Sequence, residues 1–408
     1  MGAARGPQPR ARPAGAGSAR GALTGYRTAL LDWLACAAGG REQRAARAAR
    51  ALGDGLTDRV AAAGTAGHVL DYDDTYLPGL AHLSAPVAPA ALLLGAELGA
   101  SVGEVLDAFA AGFEATGRLS AANHPALRAP GWHPTSVCGV VGAAVAAARL
   151  LELDEERTGH ALRLALAQAS GLRAAFGSDG KSLQVGLAAA GGVVAARLAA
   201  AGASASEQLP AGDGGFESAF GGVWVDPRAG DAGAGRPPAV EENWIKAYPC
   251  CLQTHGAIEA AEQARAAGVD SERELAVTVH PVGLHAASLG PDVADGLQAK
   301  FSFSYLTAFT LLHGPPRVES FGGVDAQARE LAQRVRVVTD AGILESEAWL
   351  EAGGERAGHV EAALGSPARP MDAAALARKV TDLAGSRLDG VLDDPGRPVR
   401  EVVAAAGL

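Results

Sequence analysis

Between Gly67 and Ser84 the chain reads G-H-V-L-D-Y-D-D-T-Y-L-P-G-L-A-H-L-S, which puts His68, Asp71, Asp73, Asp74, Thr75 and His82 into one short stretch. Groups that move protons or pair with cations near neutral pH are concentrated here, in a chain otherwise built from Ala, Gly, Leu and Val. A second dense stretch runs from Glu241 to Ala261 and holds Lys246, Tyr248, Cys250, Cys251, Thr254 and His255. Between the two lie G-W-H-P-T-S-V-C-G, with His133 just ahead of a helix start, and Lys181 at the head of an Ala/Gly-rich helix. Lys181 and Lys246 suit the binding of substrate carboxylates, His82 or His133 the transfer of a proton, and Asp71 the orientation of a histidine. That set fits removal of a proton next to a carboxylate, or loss of carbon dioxide, since both need cations where negative charge develops. Each piece also has a plainer reading: a polar interhelical loop with helix caps, a histidine bonded across a helix junction, and a lysine reaching for water.

Composition removes several other classes. A net charge of -10 and a pI near 5.5 argue against a nucleic-acid-binding or anionic-membrane surface, but a few cations can still dominate a cleft. Only four lysines occur, at 181, 246, 300 and 379, so a lysine inside a polar motif stands out. Four cysteines suit a reducing, cytoplasmic setting, and adjacent Cys250 and Cys251 frame neither a disulfide nor a zinc site. No dinucleotide or phosphate-loop pattern is present, the cysteine doublet is a poor iron–sulfur frame, and G-x-S-x-G is absent. His68, Asp71, Asp73, Asp74 and His82 are compatible metal ligands, but their spacing matches no strong metal motif, and no metal or other cofactor is expected. The apolar tract Val185–Ala201 is mostly Ala and Gly and reads as a core helix rather than a membrane span.

These groups must be positioned by helices. The pattern predicts helices from Leu23 to Ala38 and Arg41 to Leu52, one opening at Pro89, and one opened by the Ser101/Glu104 capping box. Further helices are expected after Ser136, from Glu155 to Ser170, from Ser182 to Ala201 and from Gly256 to Ala267. From Glu274 the pattern changes: Leu275–His280 and Val335–Val338 read as strands, and Glu351–Val360 as a hairpin edge about Gly353-Gly354. Helices return from Asp372 to Leu383 and from Val399 to Ala406. Met1–Gly21 reads as a disordered tail and Pro227–Ala239 as a mobile loop.

Taken in order, L-D-Y-D-D-T, G-W-H-P-T-S, A-S-G-L-R-A-A-F-G-S-D-G-K-S-L-Q-V-G and I-K-A-Y-P-C-C-L-Q-T-H resemble the MmgE/PrpD family from about Leu23 onward. That family includes 2-methylcitrate dehydratase, cis-aconitate decarboxylase and an iminodisuccinate epimerase. The resemblance implies a mainly α fold, a large all-helical domain with a smaller α/β (α+β) lid, drawn here as a helical domain of 22–270 with 391–408 and a lid of 271–390. It further implies a homodimer, a cofactor-independent site between the domains, and a small anionic di- or tricarboxylate substrate. Carried over residue by residue, the catalytic candidates are Asp71, His82, His133, Lys181, Lys246 and Tyr305. The substrate-binding candidates are Thr75, Lys181, Lys246 and His255. Cys251 stands where the decarboxylase-like pattern has a histidine, so the reading favours a hydro-lyase of the 2-methylcitrate-dehydratase type. Epimerisation, decarboxylation and a non-catalytic carboxylate-binding or scaffold role are the alternatives.

Overall fold

The structure is a computed structural model that describes residues 16–229 and 236–408. In chain order, helices α1 (Ala16–Gly40), α2 (Arg44–Arg50) and α3 (Leu56–Val69) lead to a two-residue strand, β1 (Thr75–Tyr76). Helices α4 (Ser84–Leu98), α5 (Val102–Ala122), α6 (Pro134–Leu150), α7 (Glu155–Leu166), α8 (Gly180–Ala200) and α9 (Phe216–Phe220) follow. Strand β2 (Asn243–Trp244) then precedes α10 (His255–Ala266), β3 (Leu275–Val279), α11 (Gly296–Ala299), α12 (Phe303–His313), α13 (Ala326–Ala332) and β4 (Val335–Thr339). The hairpin β5 (Ala348–Ala352) and β6 (Glu355–Val360) comes next, and α14 (Ala373–Ala384) and α15 (Val399–Ala406) close the chain.

Most expected elements form where their caps and periodicity place them. Ser101 and Glu104 make the reciprocal capping box at the start of α5, and Asp154 caps α7. Two placements differ, and one expected loop lies partly outside the described residues. Helix α1 takes in residues 16–21, assigned above to the tail, whose remaining residues lie outside those described. Part of the expected Pro227–Ala239 loop, 230–235, lies outside them as well. Pro89 sits within α4 rather than opening it, because Ser84 starts that helix and the whole turn around Pro89 is buried among its neighbours.

One core joins α1, α3, α4, α5, α6 and α8 to the returning α14 and α15, through residues such as Trp33, Leu92, Phe109, Phe113, Val193, Leu388 and Val402. Small residues set its spacing. A Cβ on Gly186 of α8 would lie 2.2 Å from the Ala61 carbonyl and 2.4 Å from Thr65 Oγ1, so α3 and α8 cross at backbone contact. Helix α8 is long and apolar enough to cross a membrane by composition, but it packs on α3, α4, α6 and α7.

The second core runs from Cys250 to Val360 and fills a four-stranded sheet of order β4-β3-β5-β6 with α10, α12 and α13. Strand β3 pairs in parallel with β4 and antiparallel with β5, and β5–β6 is the hairpin about Gly353 and Gly354, both with positive φ. This packing moves both expected lid boundaries. Helix α10 belongs to the lid, since Ala257, Ile258, Ala260, Ala261 and Ala264 face the sheet, whereas α14 belongs to the helical body through Val380 and Ala384. The limits of 271 and 390 follow from the resemblance, which does not register which core a helix buries its apolar face against.

Candidate active site

The two dense stretches, some 170 residues apart, meet because β1 and β2 pair antiparallel with Thr75 opposite Trp244. Tyr72 Oη donates to the Ala247 carbonyl at 2.9 Å and Asn243 Nδ2 to Asp74 Oδ2 at 2.8 Å, so both strand ends are tied. Asp71 falls just after α3 with φ of 53°, a left-handed conformation that an aspartate tolerates better than a branched residue. This turns its carboxylate inward. Lys181, in the first turn of α8, donates from Nζ to Asp71 Oδ1 at 2.6 Å. Lys246 donates to the same oxygen at 3.0 Å and to the Asp71 carbonyl at 2.9 Å. Burial alone raises the Asp71 pKa, but the two ammonium groups outweigh it and hold the carboxyl well below its ordinary range. Lys246 is pushed down by burial and up by Asp71 and Asp73, and ends above its ordinary value. The cluster therefore carries two ammonium groups on one carboxylate, and Asp71 Oδ2 has no hydrogen-bond partner among the described residues.

Beside it stand three imidazoles. His68 Nδ1 lies 2.9 Å from Asp73 Oδ2 in a hydrogen bond, while His82 Nδ1 lies 3.1 Å from the same oxygen without the direction of one. His82 Nε2 is 3.8 Å from Asp71 Oδ1. The His68 ring meets that of His82 edge-on at 4.5 Å and stacks with that of His133 at 6.2 Å. Burial, the largest influence on each, lowers all three pKa values, His82 to about 3 and His133 well below the ordinary range, so the imidazoles are neutral at pH 7. Asp73, which burial would raise, is carried well below its ordinary value by His68 and His82. Behind it, burial and the charge of Asp73 push Asp74 up to about 7, although Ser84 and Asn243 hydrogen-bond to it. One ligand atom each of His68, Asp73 and His82 lie within 4.8 Å of one another, a donor set that is also compatible with a divalent ion.

The tautomer of His133 follows from its neighbour. Gln184 Oε1 accepts from the Leu172 amide at 2.9 Å, which turns Nε2 of the same side chain toward His133 Nδ1 at 2.7 Å. Nδ1 is therefore the acceptor and the ring proton sits on Nε2.

Asp71, Thr75, His82, His133, Lys181 and Lys246 line one small cavity at the junction of the two cores, with Arg128, Phe176, Cys251, Gln253 and Phe301. Thr75 Oγ1 is buried there without a hydrogen-bond partner among the described residues. Two predicted site residues are not brought in. Tyr305 is buried in the lid core, and its hydroxyl accepts from the Asp325 amide at 2.9 Å, holding the start of α13. His255 is fully buried at the head of α10, edge-on to Tyr248 at 5.1 Å, with burial pushing its pKa down to about 3. Both were placed by their motifs, and a motif does not say which way a helix turns a side chain. Lys300, Lys379, Gln184 and Arg128 were not selected, yet all four lysines of the chain are buried around this junction, with 7% exposure or less. The scarcity of lysine was the signal for the first two. Gln184 and Arg128 carried none.

Two family descriptions match this chain, the MmgE/PrpD N-terminal domain over residues 57–224 and the MmgE/PrpD C-terminal domain over 248–394. The chain belongs to the MmgE/PrpD family. Among its relatives is the cis-aconitate decarboxylase of Mus musculus, 30% identical over 299 residues, covering 67% of this chain and 59% of that protein. The Homo sapiens enzyme of that name is 31% identical over 302 residues, covering 67% of this chain and 60% of that protein. That of Aspergillus terreus (strain NIH 2624 / FGSC A1156) is 30% identical over 215 residues, 47% of this chain and 42% of that protein. This MmgE/PrpD chain thus aligns over about three-fifths of the length of the two mammalian relatives. The C-terminal match begins at residue 248, close to the start of the second core at Cys250 and well before the expected lid start.

Proposed function

We propose that the chain is a lyase that removes carbon dioxide from a small unsaturated di- or tricarboxylate. The observation that carries this reading is the convergence of Lys181 and Lys246 on Asp71 beside neutral His133, in a small cavity between two cores. The relatives named as decarboxylases favour it over the dehydration expected from the sequence. Breaking the bond to the departing carboxylate leaves an electron pair on carbon, which a neighbouring double bond or carboxylate delocalises. The two lysines hold the carboxylate that remains, and the Nε2–H of His133 faces the developing charge as a neutral donor. One proton must then reach carbon, and we assign it to Lys181, whose ammonium is aimed into the cavity by Asp71. No metal is assigned to the step; His68, Asp73 and His82 are the residues that would hold one.

Dehydration is the second reading. Cys251, in the position where the decarboxylase-like pattern has a histidine, lines the cavity, and burial holds its thiol up at about 11, so it supplies no base. The test is incubation of chelator-treated protein with unsaturated, hydroxy- and amino-polycarboxylates in deuterium oxide. The expected result is carbon dioxide release with one deuterium per product. Water loss from the hydroxy acids alone would replace decarboxylation with dehydration, and exchange at the α carbon without elimination would replace it with epimerisation. Activity that returns only with a divalent ion would turn His68, Asp73 and His82 into ligands.

A further inference from the structure

Lys181 and Lys246 already share a carboxylate, and the three imidazoles beside them are neutral. One more cation faces the same cavity. Arg128 sits between α5 and α6, is 5% exposed, and lines the cavity with His133, Lys181 and Lys246. Among the described residues no carboxylate pairs with it. Its one hydrogen bond runs from Nη2 to the His285 carbonyl of the lid, at 2.5 Å, and its Nε is buried with no partner. The other charged group that bears on it most is Arg173, also a cation. A buried guanidinium without a counter-ion is costly unless an anion reaches it, and its planar donor edge matches a carboxylate in two-point contact.

We propose that Arg128 is the specificity-determining residue that binds a second carboxylate of the substrate, at the end of the cavity away from the Lys181–Asp71–Lys246 cluster. This rests on the reading of the site as one for polycarboxylates and adds which residue counts their charges. A substrate carrying one carboxylate would fill the lysine end and leave Arg128 unpaired. A di- or tricarboxylate satisfies both ends. Because Arg128 also holds the His285 carbonyl, the second carboxylate would arrive where the helical body meets the lid, so its binding and the seating of the lid are linked.

The test is calorimetric binding of a saturated propane tricarboxylate, which has neither double bond nor hydroxyl to react, against its monoamides, in which one carboxylate at a time is replaced. Wild-type protein should bind the tricarboxylate about 10- to 100-fold more tightly than at least one monoamide, the range for a lost charge-assisted hydrogen bond. In Arg128→Gln that preference should fall to within about threefold while the lysine end still binds, and Arg128→Lys should restore part of it, since the charge returns without the planar fork. The comparison is made within each variant, so lost affinity from loosened packing affects both ligands alike. If Arg128→Gln does not fold, the preference shown by Arg128→Lys decides, and full wild-type discrimination in it overturns the proposal. So does unchanged discrimination in Arg128→Gln, or a wild-type protein that binds tricarboxylate and monoamides equally. Wild-type protein that binds none of them overturns the polycarboxylate site itself, and this inference with it.

Discussion

The smallest unit on which the proposed chemistry turns is a hydrogen atom on His133. A motif can place a histidine ahead of a helix, but its tautomer is fixed by Gln184, fifty-one positions away on α8, and that glutamine is in turn fixed by the Leu172 amide. In Gln184→Glu the new carboxylate demands a proton on Nδ1, leaving Nε2 bare or the ring doubly protonated. Turnover should fall by roughly 10- to 100-fold, in the range of a lost donor or acid–base group, with KM changed by less than about threefold. Nitrogen NMR of the imidazole should move from the Nε2–H to the Nδ1–H or imidazolium pattern. A variant with normal turnover and an unchanged nitrogen spectrum would remove Gln184 from the mechanism. Arg128 was equally silent in the sequence, because an arginine in a polar loop is ordinary until its surroundings show that no carboxylate among the described residues pairs with it.

At the scale of elements, the site hangs on a helix that returns from the far end of the chain. Lys379 of α14 lies 2.6 Å from Asp32 of α1 and donates to the carbonyls of Tyr72 at 2.7 Å and Lys246 at 3.0 Å. It therefore holds the backbone next to Asp71 and the backbone of Lys246 at once. Lys379→Met should cost about 3 to 5 kcal/mol, as expected when one member of a buried pair is removed. Adding Asp32→Asn should recover much of that stability, read by denaturant unfolding, because the uncompensated carboxylate is gone. It should not recover activity, since the Tyr72 and Lys246 carbonyls still lack their donor; a double variant with wild-type turnover would make Lys379 a stability residue only. Helix starts with caps, the alternating strands and the Gly353-Gly354 hairpin were legible because local chemistry dictates them. The allegiance of α10 and α14 was not, because a small-residue apolar face packs equally well on a sheet or on helices. For the same reason Asp71, His82, His133, Lys181 and Lys246 were readable as site candidates, while the inward turn of Tyr305 and His255 was not.

Across the whole molecule, the lysines mark the seam between the two cores. Lys300 comes from the lid, just before α12, and its Nζ donates to the Leu70 carbonyl of the helical body, one residue before Asp71. The Cys251 amide in turn donates to the Lys300 carbonyl at 3.0 Å, so this residue fastens the connection into the lid as well. Burial lowers the Lys300 pKa from 10.5 to about 8, with Asp71 opposing and Lys181 and Lys246 adding to the shift. Between those values the folded chain binds fewer protons at Lys300 than the unfolded chain, so this residue makes stability rise with pH across that window and costs stability below it. Its charge has the opposite effect on function. An anion in the cavity is attracted by Lys300 only while the ammonium persists, so polycarboxylate affinity should fall as pH rises through about 8, by roughly tenfold between pH 7 and pH 9 for one lost charge near a partly buried anion. Asp74, at about 7, lies behind the cluster and contributes alike to any variant that leaves it in place. Lys300→Met should therefore bind more weakly at pH 7 and show less than about twofold change up to pH 9, while raising the stability measured at pH 7, because the cost of burying an ammonium is gone. Calorimetric titration across the pH series, with thermal unfolding alongside, reads both quantities on the same samples. A Lys300→Met protein whose affinity still falls tenfold above pH 8 would place the titrating group elsewhere in the seam and leave Lys300 as a fastener alone.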